Sequence, residues 1–200
     1  MSSPRLSAPE RRQAVLDAAC RIFSDGSYRG TTTAEIARES GVSEPILYRH
    51  FASKRELYLA CLESAWTDTR TRWDERVATE ADPARWLPAL AVEAFESGTC
   101  PAVLADLWVQ ALSVSTEEPV IGAALAAQMR EVHDYVAALI RRSQGAGGVV
   151  QGRDPDAEAW IFVAVGLLRT VAGRLGGLLG PDDLGRIRAA RAEWMLGRGA

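Results

Sequence analysis

Apolar positions recur at helical spacing along almost all of the 200-residue chain, and they nowhere alternate for long enough to predict a strand. Val15, Ala18, Ala19, Ile22 and Phe23 line one face of a first helix ending near Ser24. Ser7 with Glu10 supplies its capping box, and Asp25-Gly26 its stop. Thr32 and Glu35 make a second capping box, opening a short helix with Ala34, Ile36 and Ala37 as its apolar face. Gly41 follows where a positive φ is easiest to accommodate. Val42 plugs the turn, Ser43 is an N-cap, and Pro45 lies in the next first turn, where a missing N–H costs little. The third helix, about residues 44–51, turns Leu47 and Phe51 inward and leaves Ile46, Tyr48, Arg49 and His50 outside. Two short helices around a tight turn, the second presented outward, follow helix-turn-helix grammar, in which the second helix lies in the DNA major groove.

Ser53 and Glu56 start a fourth helix carrying Leu57, Tyr58, Cys61, Leu62, Ala65, Trp66 and Trp73. No Gly- or Pro-rich linker comes before Asp82-Pro83, so head and body are expected to share this helix. Further starts follow at Asp82-Pro83 (Trp86, Leu87, Leu90 and Phe95, closed by Gly98), at Pro101, at Glu117-Glu118-Pro119, at Asp154-Pro155 and at Pro181-Asp182-Asp183. Acidic residues and Pro in first turns suit the helix dipole and its orphan donors. Residues 143–153 are read as a glycine-rich loop, and the helix after it as ending near Leu179. The pattern predicts an all-α chain of about nine helices. A three-helix head fills residues 1–54, and a helical ligand-binding and dimerisation bundle fills 55–200.

Composition changes the picture little. Hydrophobic residues at 48% and charged ones at 24% are ordinary for a globular chain, and the net charge of −3 gives no overall nucleic-acid signal. Its distribution is more telling: nine Lys/Arg stand against seven Asp/Glu in residues 1–60, and 14 against 19 in the remainder. Three widely spaced cysteines, Cys20, Cys61 and Cys100, support neither a disulfide framework nor a zinc site. The first residues have no signal-peptide core, and the longest apolar run, 159–168, is too short to span a bilayer, so a cytoplasmic location is expected.

The run IARESGVSEPILYRHFASKRELYLACL, with the preceding IFSDGSYRGTTT, resembles the N-terminal DNA-binding domain of the TetR family of bacterial repressors; the resemblance covers about residues 9–62. It implies a homodimer on a palindromic double-stranded DNA operator, released by a small-molecule effector. Ser43, Glu44, Ile46, Tyr48, Arg49 and His50 would then lie at or near the groove, with Tyr48 and His50 at positions that meet phosphates or base edges. Lys54 at the start of the fourth helix suits a phosphate clamp, and Thr31, Thr32 and Thr33 offer hydroxyls and N–H groups to phosphate. Glu44 departs from the commoner basic or small residue. It either accepts from a cytosine amine or simply caps and points away.

The body carries no such signature. Trp66, Trp73, Trp86, Phe95, Trp108, Met129, His133 and Trp160 are the candidates to line a pocket for a flat or lipophilic effector, against the plainer reading of core packing. Trp160, Val163, Ala164, Leu167, Leu168, Val171 and Leu175, interleaved with glycines, join Ile187 and Trp194 as a candidate four-helix dimer interface. A symmetric operator demands a dimer, since two recognition helices must sit roughly 34–36 Å apart. No G-x-S-x-G, H-E-x-x-H or phosphate-binding glycine motif occurs, and no catalytic residue, metal or cofactor is expected. The competing readings are a ligand-independent DNA-binding regulator or architectural protein and, further removed, an enzyme on a helical scaffold.

Overall fold

The computed structural model of the chain describes residues 7–95, 100–180 and 182–197, excepting the side chains of 93–95, 100 and 101. Among them run nine α-helices and one 3₁₀ turn, with no strand. The head comprises α1 (Ala8–Asp25), α2 (Thr33–Glu39) and α3 (Glu44–His50), and α4 (Lys54–Thr79) leads out of it. The body adds the 3₁₀ turn Pro83–Arg85, α5 (Trp86–Phe95), α6 (Cys100–Val114), α7 (Pro119–Gly145), α8 (Pro155–Leu175) and α9 (Asp183–Met195). Gly98 and Pro181, read as a stop and a start, lie outside the described residues.

Local chemistry explains most boundaries. Ser7 and Glu10 close the full capping box of α1. Thr32 makes only half of one, accepting from the Glu35 N–H at 3.1 Å. Ser53 accepts from the Glu56 N–H, but the Glu56 carboxylate reaches back one residue further than a box requires, to the Ala52 N–H. Gly41 takes φ +69° and ends the α2 turn. Two boundaries differ from the sequence reading. The long helix α7 continues through Gly145 into the glycine-rich stretch, where Ser143, three residues after Ile140, is buried and its hydroxyl donates to the Pro83 carbonyl. Helix α8 stops at Leu175 rather than near 179, because Gly176 and Gly177 both take positive φ.

One hydrophobic core runs from head to body. Leu47 and Phe51 are fully buried beneath α3, and every apolar position expected of α4 is buried. Phe23 and Tyr28 meet the Tyr58 ring edge-on at 4.9 and 5.0 Å. Burial pushes the Tyr58 phenol up, so it stays a neutral donor, and its hydroxyl donates to the Leu107 carbonyl of α6 at 2.5 Å. Gln128 of α7 satisfies both ends of its buried amide: it accepts from the Trp108 indole and donates to the Leu62 carbonyl, each at 2.7 Å. The α1–α2 turn also rests on the body. Gln110 donates to the Gly26 carbonyl, Arg29 pairs with Glu117, and Arg55 lies 3.4 Å from Glu118.

The loop after α7 is closed at one glycine. A Cβ at Gly148 would lie 2.4 Å from the Pro83 carbonyl carbon and 2.5 Å from the Ala84 nitrogen, where Ser143 also donates to the Pro83 carbonyl at 2.8 Å. Gly148→Ala is therefore expected to lose about 1–3 kcal/mol or more, a melting shift of several degrees for a chain of this size. Gly145→Ala, with nothing within 4 Å of its Cβ, serves as the control. Equal thermal melts for the two variants would refute the close approach.

Candidate functional site

Helix α3 is seven residues long and buries only Leu47, so most of its surface faces outward. Tyr48 is 46% exposed, Ser43 and Arg49 are exposed, and Glu44, Ile46 and His50 are half-buried. Ser43 caps α3 by backbone geometry alone: its carbonyl accepts from Ile46 and Leu47, and its hydroxyl makes no capping bond. A hydrogen-bond relay ties α3 to α2. The Thr33 hydroxyl donates to the Glu44 carboxylate at 2.6 Å, and the Tyr48 hydroxyl lies 3.0 Å from the same Thr33 oxygen. A carboxylate only accepts, so Thr33 donates onward and Tyr48 donates to Thr33. Glu44 thus turns back toward α2. The two buried threonines, Thr31 and Thr33, correct the expectation of three hydroxyls free for phosphate: one side chain is packed away and the other is engaged in the relay. Thr32 stays exposed, although its hydroxyl caps α2.

Lys54 opens α4 beside this surface. Its ammonium sits 4.6 Å over the Tyr28 ring and donates to the Arg29 carbonyl at 3.4 Å, and burial pushes its pKa down from the ordinary lysine value. Arg12 of α1 lies 4.8 Å over the Phe51 ring. Arg49 is thus the exposed cation of α3, Lys54 follows it at the start of α4, and the one acid of α3 is turned away.

Helices α8 and α9 present another uncovered surface. Trp160, Val171, Leu175 and Trp194 are 44%, 37%, 65% and 41% exposed, and no residue of α9 is buried. Ala164 is exposed, and Leu167, Leu168 and Ile187 are half-buried. Val163 is a correction to the expected dimer stripe: at 5% exposure it packs into the protomer's own core, one helical step from the outward face. Helix α9 is tethered at its end. The Val150 N–H donates to the Met195 carbonyl, and Arg153 donates to the Trp194 carbonyl while lying over the Trp194 ring.

The expected pocket residues are largely core. Trp66, Trp73 and Tyr135 form a cluster with centroids 5.6–6.0 Å apart, and Phe162 joins it edge-on to Trp73 at 5.7 Å. Trp108 is buried against Gln128. Trp86 is half-buried, with its indole donating to the Glu80 carbonyl. His133 stacks on Trp160 at 4.4 Å, and Met129 is a half-buried flank of the core. The Phe95 side chain lies outside the described residues. An apolar cavity of about 360 Å³ instead opens between α5, α8 and α9, bordered by Leu87, Phe162, Val165 and Met195 together with Glu158 and Arg191. The seven described candidates are not among its lining residues. The sequence did hold one signal for it: an acid, Glu158, placed at the head of the apolar stripe of α8. Among the described residues no group of His, Cys, Asp and Glu is placed to hold a metal. No helix among them is long and apolar enough to cross a membrane.

Residues 15–61 match the family described as bacterial regulatory proteins, tetR family. The HTH-type transcriptional activator FasR of Mycolicibacterium smegmatis is 43% identical over 91 residues, 46% of this chain and 41% of that protein. The HTH-type transcriptional repressor KstR2 of Rhodococcus jostii is 32% identical over 87 residues, 44% of this chain and 43% of its own length. The matched portion thus spans less than half the length of these curated relatives. Solved structures extend the likeness in fold to the whole chain. A TetR-family transcriptional regulator from Agrobacterium tumefaciens superposes with a TM-score of 0.77 at 20% identity, covering 94% of this chain and 99% of that one. A protein from Saccharomonospora viridis in complex with choline gives 0.76 at 23% identity, covering 91% and 93%.

Proposed function

We propose that this chain, a member of the TetR family by its head over residues 15–61, is a DNA-binding transcriptional regulator that works in the cytoplasm as a homodimer on a two-fold operator. The observation that carries the reading is the outward face of α3. Tyr48 and Arg49 stand clear of the body, followed by Lys54 at the start of α4, while Leu47 anchors the helix from beneath. The head of residues 1–54 reads DNA. The body of 55–200 pairs through the uncovered apolar face of α8 and α9 and holds a small apolar or aromatic effector. Support for an effector comes from the cavity; the choline in the Saccharomonospora viridis protein supports a small-molecule site in a body of this fold, not the chemistry of the ligand.

In this mechanism α4 is common to both units, so a change at its body end is felt at the head. An effector that favours wrongly spaced heads weakens operator binding, and operator binding weakens the effector by the same factor. The regulator is then a repressor released by its effector. The relatives include both an activator and a repressor, so the sign of regulation is settled by transcription from the operator with and without effector.

A salt-series binding assay on the chain's own upstream DNA against scrambled DNA tests the reading. Specific binding with a steep salt slope is expected, and equal, weak binding to both would overturn it. Arg49→Ala is expected to lower the salt slope by about one ion if Arg49 meets phosphate, or to relax preference at one base pair if it meets a base edge. Tyr48→Ala, which removes an uncharged group, should cost about tenfold in specific affinity and leave the slope unchanged. Unaltered operator binding by both variants would remove α3 from the interface.

A further inference from the structure

We propose that the cavity between α5, α8 and α9 is the effector site and takes a small amphipathic anion: an apolar chain or ring bearing one carboxylate-like head, held by Arg191. The assignment rests on the regulator reading for its consequence. The binding site itself stands on its own geometry.

The cavity volume of about 360 Å³ falls within the range of small-molecule sites, roughly 300–1,000 Å³. Its walls are mainly apolar, with Leu87, Ile161, Phe162, Val165 and Met195 among them. The charged groups on its border are Glu158, Arg188 and Arg191. Glu158 is 7% exposed; its Oε1 accepts from the Trp194 indole at 2.8 Å, and its Oε2 meets the Arg191 guanidinium. A buried carboxylate persists only when it is paired, so this ion pair fixes what a ligand can do.

A cationic ligand would have to take Glu158 from Arg191. That would leave the guanidinium without its partner in surroundings where burial and the Arg153 charge already push Arg191 down. An anionic head needs no such displacement. The ion pair uses Nη2 of Arg191, and among the described residues its Nε and Nη1 make no hydrogen bond. A guanidinium has five donors in a planar fork, enough to bridge Glu158 and a second carboxylate. The side chain is also only partly covered, at 31% exposure, so it remains within reach of a ligand. An occupant would touch residues leading both to α4 and to the proposed dimer face. Phe162 borders the cavity and packs on Trp73 of α4, and Ile187 borders it from the dimer face.

Chain-matched probes decide the matter: decanoate, decanol and decyltrimethylammonium, each below its micelle concentration, titrated into the full-length protein by calorimetry. Decanoate is expected to bind about tenfold or more tightly than decanol, and the cation more weakly still. Arg191→Gln should weaken decanoate about tenfold with little change for decanol, whereas Glu158→Gln, which frees the guanidinium, should tighten it severalfold. Gly166→Leu is the block: it stands on the cavity border in mid-helix with nothing in the protomer within 4 Å of its Cβ, and, in a sample that sediments like the parent, it should abolish binding of both chains. Preference for the cation, indifference of decanoate to Arg191→Gln, or no binding of any probe would each overturn the proposal. Operator affinity measured on the same samples separates the two claims. Operator binding without decanoate binding sinks this site alone. Decanoate binding without operator binding sinks the regulator reading and leaves the site.

Discussion

Leu175→Arg is expected to separate the proposed dimer and to weaken operator binding by roughly 10²–10⁴-fold, the avidity lost when two linked half-site contacts become one. Leu175 ends α8 at 65% exposure, in line with Val171 and close to the turn into α9, a helix with no buried residue of its own. A protomer leaving that much apolar surface uncovered presents a patch of the kind that marks an interface. In an isologous interface the change enters from both protomers, so two unpaired guanidinium groups are brought into the apolar contact. The protomer itself should fold as before, since an exposed substitution away from caps and core is usually within about 0.5 kcal/mol. Sedimentation and operator titration read the two effects. A variant that sediments as a dimer and binds normally would return this stripe to an ordinary solvent face.

Leu47→Ala is expected to remove the head's hold on α3, the proposed recognition helix. Helix α3 has seven residues, well below the roughly 12–15 at which an isolated helix becomes even marginal in water. It exists because Leu47, fully buried, and Phe51, capping its end, pin it to α1 and α2. Losing a buried leucine side chain costs about 2–5 kcal/mol, and here the loss falls on a local unit with no second buried anchor in its helix. The expected result is specific operator affinity at least about a hundredfold weaker, with α3 amides exchanging early and those of the α4–α7 core still protected. The contrast with Tyr48→Ala is diagnostic. The exposed neighbour should weaken binding without loosening α3. Operator affinity within threefold of the parent for Leu47→Ala would show that α3 is held by something other than its apolar face.

Much of this was legible beforehand where information is local. Capping boxes, Pro in first turns and Gly41 at the α2 stop are contacts among residues three or four apart, so they can be read from spacing. The inward faces of α1, α3 and α4 follow from helical period for the same reason: a stripe on one helix has one side on which to be buried. Period cannot say which of several neighbours covers a stripe. That is why Val163 was grouped with the outward residues and is core, and why the tryptophans of the body, expected around a pocket, pack on one another and on Tyr135 instead. The relay through Thr33 was equally hidden, since it joins residues 11 and 15 apart across a turn.

Residue spacing alone was enough for the all-α class, the three-helix head with its outward α3, and the helix shared between head and body. Each of these depends on interactions within a few residues or on a motif carried whole in one stretch. Where the cavity lies was settled by tertiary packing, because it exists between α5 and the α8–α9 pair, and residues 96–154 separate the end of α5 from the start of α8. The Glu158–Arg191 pair that gives it a polar end was likewise invisible, since the two residues lie on different helices and face each other only once α9 is tethered by Val150 and Arg153.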